Sequence, residues 1–506
     1  MNAPSTPSHR SLFQRLVRRP LVSILERAAL TAFLLIPTLG ASSPNDLPSL
    51  GDSASRIVSP QMEQQIGEIF LKQLHATLPL SRDVLIQYYV EQHMSTLAQY
   101  SSLQSALNTV VVVDNPNINA FAAPGGIIGI NLGLLIYAQD SDEYSSVMAH
   151  EMAHLSQRHF ARGIEARQTS AIPNLVGLLA AVLVGAAGGS DAGLAALTTF
   201  QAAGQSKQLR FSRDREQEAD RIGLNTLARA NRDPEAMSRM FERMQRAYRF
   251  TRRPPEFLLT HPLSETRISD AKNQARQYAD QVRVANNLEN QRDAFDYQLI
   301  RARAREHYVT KPGAEIETYR DKLEDDPSDL SIQYALALSL SKNKEHDEAI
   351  ELVENLYRQN PRSVLYTGAL AEVLINAERH GEAQRLLKAT LQLYPANFPL
   401  EMLLAQSKIA TEDFMDAELL LESQAKRRPK DVNVWYELAE TSGLAGNVTG
   451  VHLARAEYFY LNGAFHRAIQ HLEYAQRLVD DKNFQLEAKL TQKIQDLRTE
   501  IRRANS

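Results

Sequence analysis

Apolar positions change their rhythm several times along this 506-residue chain. Over residues 61–108 they recur at mixed three- and four-residue steps, the spacing of helix faces. The pattern then switches: Val110–Val113 is a β-branched run, Asp114–Asn117 is turn chemistry, and Pro124-Gly125-Gly126 is a second turn. These predict a strand at Val110–Val113, a second extended piece at Asn119–Ala123 and a third strand at Ile127–Asn131. Residues 141–167 and 205–250 return to helical spacing. Pro254, Pro255 and Pro262 mark a stiff loop, and one or two long charged helices follow over 266–307.

Residues 171–200 are strongly apolar, yet the unbroken run Leu175–Ala187 is only 13 residues, short of the ~20 that a membrane span needs. A buried helical hairpin is expected there, the alternative being a surface that touches lipid or unfolded substrate. The C-terminal third carries a ruler. Pro327, Pro361, Pro395 and Pro429 are each 34 residues apart, and Ala349, Ala383 and Ala417 keep the same step. That period is the tetratricopeptide signature, a stack of helix pairs whose concave face binds protein. The next comparable alanine, Ala468, comes 51 residues on, which predicts an extra helix breaking the register near 446–453.

The N-terminus has Arg10, Arg15, Arg18, Arg19 and Arg27 before the apolar run "AALTAFLLIPTLGASS", the layout of a secretory signal over residues 1–42. The chain has no cysteine. With export, that points to the periplasm of a Gram-negative type cell, and it leaves only His, Asp and Glu to hold a metal. A net charge of −4 argues against a nucleic-acid partner.

The chemistry concentrates in "VMAHEMAHL". His150 and His154 stand four apart, on one face of a helix, with Glu151 between them. Two imidazoles so placed can share one zinc ion while the glutamate stands beside the open position. With 13 histidines in the chain, a chance H-E-x-x-H has odds of about 2%. A catalytic zinc takes a third protein ligand. In "SRDREQEADRIG", Glu216 can ligate and Asp220, one turn on, can accept the second N–H of a ligand histidine. Glu218 is the rival, about 200° around the helix.

These motifs, with "THPLSETRI" and "NAFAAPGG", resemble the M48 family of zinc peptidases. The resemblance implies one zinc per chain on His150, His154 and Glu216, with Glu151 as base and Asp220 behind the metal. It also implies that Asn119, Ala120, Phe121 and Ala122 form an edge strand that pairs with bound peptide. Members with this order of signal, peptidase and repeats imply a periplasmic protease in outer-membrane β-barrel quality control. Unfolded or misassembled outer-membrane proteins and the outer-membrane assembly machinery would then be its partners. A chaperone-like role, with the protease largely latent, is the competing expectation, and a membrane-anchored housekeeping peptidase is a third. His261, placed before Pro262, has two open functional roles, a fourth zinc ligand that plugs the site, which is favoured, or a donor to the developing oxyanion, beside a plain reading as a loop histidine that packs before the next helix.

The expected fold is mainly α. An α+β zincin-type metallopeptidase domain at 55–270 and a helical linker at 271–311 precede an all-α tetratricopeptide-repeat solenoid at 312–500.

Overall fold

The computed structural model describes residues 58–167, 205–249, 256–278, 282, 288–480 and 482–505. The signal expected at 1–42 and the apolar segment 171–200, with its lipid-facing alternative at 175–187, lie outside the described residues.

Two helices come first, α1 (Pro60–Thr77) and α2 (Val84–Ala98). Ser59 and Asp83 cap them by accepting N–H groups that a helix start leaves open. The helical pattern expected to reach 108 stops at Ala98, where Ser101 Oγ bonds back to the Ala98 carbonyl at 2.7 Å. Serine side chains offer the backbone such local alternatives to helix.

Strands β1 (Thr109–Val113), β2 (Ala120–Ala123) and β3 (Ile127–Asn131) form one sheet in the order β1-β3-β2. The β1 strand runs parallel to β3 and β2 antiparallel, which leaves β2 at an edge. Gly129 of β3 cannot be replaced cheaply. A Cβ there would lie 2.1 Å from the Phe121 ring, which packs against Phe70 at 5.9 Å between centroids.

Helices α3 (Leu132–Tyr137), α4 (Ser141–Ser156) and α5 (His159–Arg167) follow. The helix expected over 141–167 is interrupted at Gln157-Arg158, where Arg158 takes a left-handed φ of 48°. Next come α6 (Gln205–Arg229), α7 (Glu235–Arg249), α8 (Glu256–Thr260) and α9 (Glu265–Tyr278). Helix α10 (Leu288–His307) packs against α2, α3 and α4. Its buried Tyr297 donates to the carbonyls of Leu135 and Ala138.

After α11 (Pro312–Asp325) the chain becomes a stack of helix pairs. The first helices of the pairs are α12 (Leu330–Lys342), α14 (Val364–Asn376), α16 (Phe398–Ala410) and α18 (Val432–Leu444). Their partners are α13 (His346–Gln359), α15 (His380–Leu393), α17 (Phe414–Arg427) and α19 (Val448–Leu461). The ruler reaches into the chemistry of each turn. Asp329, Ser363, Asn397 and Asp431 cap the first helices, all with short side chains that accept backbone N–H groups. Lys344, Glu378, Glu412 and Gly446 occupy one left-handed turn position, with φ of 68°, 59°, 61° and 76°.

The register therefore runs on through a fourth pair. The extra helix expected near 446–453 does not exist, since α19 starts in step at Val448. The repeated alanine is absent from this pair. Val451 stands in its place, facing Gly443 of α18. The step ends afterwards, with α20 (Phe465–Leu478) and α21 (Phe484–Asn505).

The repeats pack on the N-terminal helices, α14 and α16 on α2 and α19 on α1. Arg428 clasps Glu91 at 2.9 and 2.6 Å, and Lys72 meets Glu500 at 2.6 Å.

Candidate metal centre

Helix α4 carries His150, Glu151 and His154, and α6 crosses it closely enough to bring Glu216 and Asp220 alongside. Gly223 permits the crossing. A Cβ there would lie 3.2 Å from the His150 nitrogen and 3.3 Å from the Ala149 carbonyl carbon. His261 arrives from the end of α8, its N–H bonded to the Phe257 carbonyl at 2.8 Å and its ring stacked on Phe257.

Four of these side chains converge. His154 Nε2 lies 3.0 Å from His150 Nε2, and His261 Nδ1 lies 3.3 Å from that same atom. Glu216 Oε2 is 3.1 Å from His261 Nδ1 and 3.4 Å from His150 Nε2, while Glu216 Oε1 is 3.5 Å from His154 Nε2. Three imidazoles and a carboxylate have too few protons to bridge so many short contacts. A tetrahedral zinc with bonds of ~2.0–2.1 Å spaces its ligand atoms by about 3.3 Å, which matches this cluster. The residues present fit the ion.

Glu151 is fully buried, and neither carboxylate oxygen has a hydrogen-bond partner among the described residues. His261 Nε2 lies 3.5 Å from its Oε1. A buried carboxylate without a donor is costly, and beside a ligand cluster it is free to act on a water or substrate proton.

Burial works against a charged His150, but Asp220 and Glu216 outweigh it and push this imidazole up to about 9. Burial and neighbouring histidines together hold His154 well below its ordinary value, despite the pull of Glu216. For Glu216 burial favours the neutral acid, yet the surrounding histidines hold it well below the usual carboxylate range. The pocket thus keeps its carboxylate ionised, as a ligand must be.

Asp220 Oδ1 stands 2.9 Å from His150 Nδ1, on the far side of the ring from the cluster. Behind it lies a residue that sequence reasoning left without a role, Arg267. This buried guanidinium donates to both Asp220 oxygens at 2.7 Å, to the Pro262 carbonyl at 2.9 Å, and lies 3.1 Å from Glu216 Oε2. The signal was present in "THPLSETRI", because two carboxylates buried together need a cation. Glu218, the rival ligand, points elsewhere, with Oε2 3.1 Å from His159 Nε2.

The edge strand β2 packs against α4. Asn119 gives its carbonyl to the Asn131 N–H at 3.0 Å, so by alternation the main-chain groups of Ala120 and Ala122 face away from β3. Phe121 is buried in the core. On this edge the backbone, and not that ring, is turned outward from the sheet.

Comparison with known proteins identifies the two parts. Residues 85–275 match the model of peptidase family M48, and 374–440 match a tetratricopeptide repeat. The beta-barrel assembly-enhancing protease of Escherichia coli K12 is 30% identical over 474 residues, covering 92% of this chain and 93% of its own. That of Yersinia pestis is 30% identical over 426 residues, 84% and 86% of the two chains. The mitochondrial metalloendopeptidase OMA1 of Schizosaccharomyces pombe is 32% identical over 180 residues, 36% of this chain and 50% of its own.

Proposed function

Because this chain belongs to peptidase family M48, we propose that it is a periplasmic zinc endopeptidase serving the assembly and quality control of outer-membrane β-barrel proteins. The observation that carries this reading is the buried set His150, His154, Glu216 and His261 beside an unpartnered Glu151. The full-length similarity to beta-barrel assembly-enhancing proteases supports the choice of client.

In this reading His150, His154 and Glu216 hold one zinc per chain. When bound, the ion polarises the scissile carbonyl and lowers the pKa of water at the site. Glu151 takes the proton of the attacking water and passes it to the leaving amine. Asp220, clamped by Arg267, holds the His150 ring in the tautomer that presents Nε2. An extended substrate adds to β2 along Ala120 and Ala122, which lays its main chain across α4. The repeats gather protein partners, either unfolded barrel precursors or the assembly machinery itself.

His261 serves as a fourth ligand that closes the site at rest. Its Nδ1 stands 3.1 Å from Glu216 Oε2 and 3.3 Å from His150 Nε2, which favours the plug over an oxyanion donor. That closure also supports a second reading, a largely latent protease that works as a chaperone.

Glu151→Gln separates them. The variant should retain zinc and lose about 10²–10⁴-fold in peptide cleavage. Wild-type cleavage would refute the base, and full rescue of envelope defects by the variant would favour the chaperone.

A further inference from the structure

His150 has a carboxylate behind its ring, but His154, the other histidine of the motif, has none. Its second nitrogen, Nδ1, meets another imidazole instead: His159 Nδ1 lies 2.9 Å away. The far nitrogen of His159, Nε2, lies 3.1 Å from Glu218 Oε2. Glu218 also accepts from Arg162 Nη1 at 3.0 Å. We infer that His159 and Glu218 are positioning residues for the metal, a relay that sets the tautomer and ring angle of His154 through a second histidine.

The direction of the relay follows from proton counting. An ionised carboxylate only accepts, so His159 carries its proton on Nε2 and gives it to Glu218. The Nδ1 of His159 is then a bare lone pair, and it accepts the proton of His154 Nδ1. That leaves His154 Nε2 unprotonated and aimed at the ligand cluster. The reverse order would require a protonated Glu218, whereas Arg162 Nη1, which can only donate, already meets the same Oε2 at 3.0 Å and leaves it an acceptor.

The backbone is shaped for this contact. Arg158 takes the left-handed φ of 48° that ends α4 and restarts the chain as α5, turning His159 back beneath His154. Arg158 is held there by its bonds to Val58 and Glu63, and Arg215 Nη1 donates to the His159 carbonyl at 2.9 Å. His159 is buried, 3% exposed, too deep for a solvent-facing role.

The inference rests on the metal reading above, and the test keeps the two apart by measuring zinc affinity through competition with a chelator of known strength. If the wild type binds no zinc, the metal reading fails. If it binds, His159→Ala should weaken zinc about 10–100-fold, the usual effect of losing a partner behind a ligand. His159→Gln should recover most of that loss, since its amide oxygen can accept from His154. Glu218→Gln, at a position 25% exposed, should weaken zinc less than His159→Ala, because an amide accepts from His159 without fixing the direction. A cobalt-substituted sample should show altered visible absorption bands in His159→Ala and near wild-type bands in His159→Gln. Should His159→Ala fail to fold, the glutamine variants decide. Wild-type zinc affinity in both His159→Ala and Glu218→Gln, or in Glu218→Gln alone where alanine does not fold, overturns the relay. So does a His159→Gln as weak as His159→Ala.

Discussion

Arg303 of α10 joins the N-terminal part to the repeats, and replacing it by Met should loosen the whole chain. Its Nε donates to Asp83, the cap of α2, at 2.5 Å. Its other two nitrogens take Glu372 of α14 at 2.5 and 2.8 Å, and Nη1 also reaches the Tyr334 hydroxyl at 3.1 Å. The guanidinium is buried, but the two carboxylate side chains keep 17% and 25% of their exposure, so water can partly replace the lost cation. Removing one partner from a fully buried pair costs ~3–5 kcal/mol, and the exposure here discounts that to about 2–3 kcal/mol. For one compact unit running from Ser53 to Ser506, at about 1 °C per kcal/mol, the melting midpoint of Arg303→Met should fall by about 2–3 °C. The assay is a thermal melt at neutral pH, with limited proteolysis to locate the opening. Cleavage should appear first near α2 and α14. Arg303→Lys should lie between, since one ammonium cannot match a fork that serves two carboxylates. Arg303→Met with Glu372→Met should be more stable than Arg303→Met alone, because it removes a stranded charge. An unchanged midpoint in Arg303→Met would refute the argument, as would a double variant weaker than the single.

Other perturbations follow from the same geometry. His261→Ala should raise basal proteolysis of an unstructured substrate such as casein, the sign expected of a plug; a fall in kcat would assign the oxyanion role instead. Gly446→Ala should cost about 1 kcal/mol and Glu378→Gly should be neutral or stabilising, because both sit at the left-handed turn position; urea denaturation with the opposite order would contradict this. Burial alone would raise the Asp293 carboxyl, but His93 and Arg232 hold it below the ordinary range. Its stabilising effect is therefore present above about pH 4 and is lost as pH falls through the lower folded value. Wild type and Asp293→Asn should accordingly differ in melting at neutral pH and converge in acid, and a constant gap would count against the assignment.

The candidate ligands that share a helix were legible from sequence because their spacing depends on one local period. His150 and His154 share a face at i and i+4 in any helix, and so do Glu216 and Asp220. The repeat ruler was equally local, written in prolines and alanines at one step. Its fourth unit was hidden because Val451 stands where the alanine would fall, and the packing of α18 on α19 that keeps the pair in step is not written in either segment alone. The long-range approaches belong to the tertiary structure. Gly223 lets α6 press on α4, and only then do Glu216 and Asp220 face the histidines while Glu218 turns to His159. Arg267 and His261 come from beyond α7 to complete the cluster. Periodicity tells which side chains share a face. Which faces meet, and which buried charges must then be answered, is decided by packing between segments far apart in the chain.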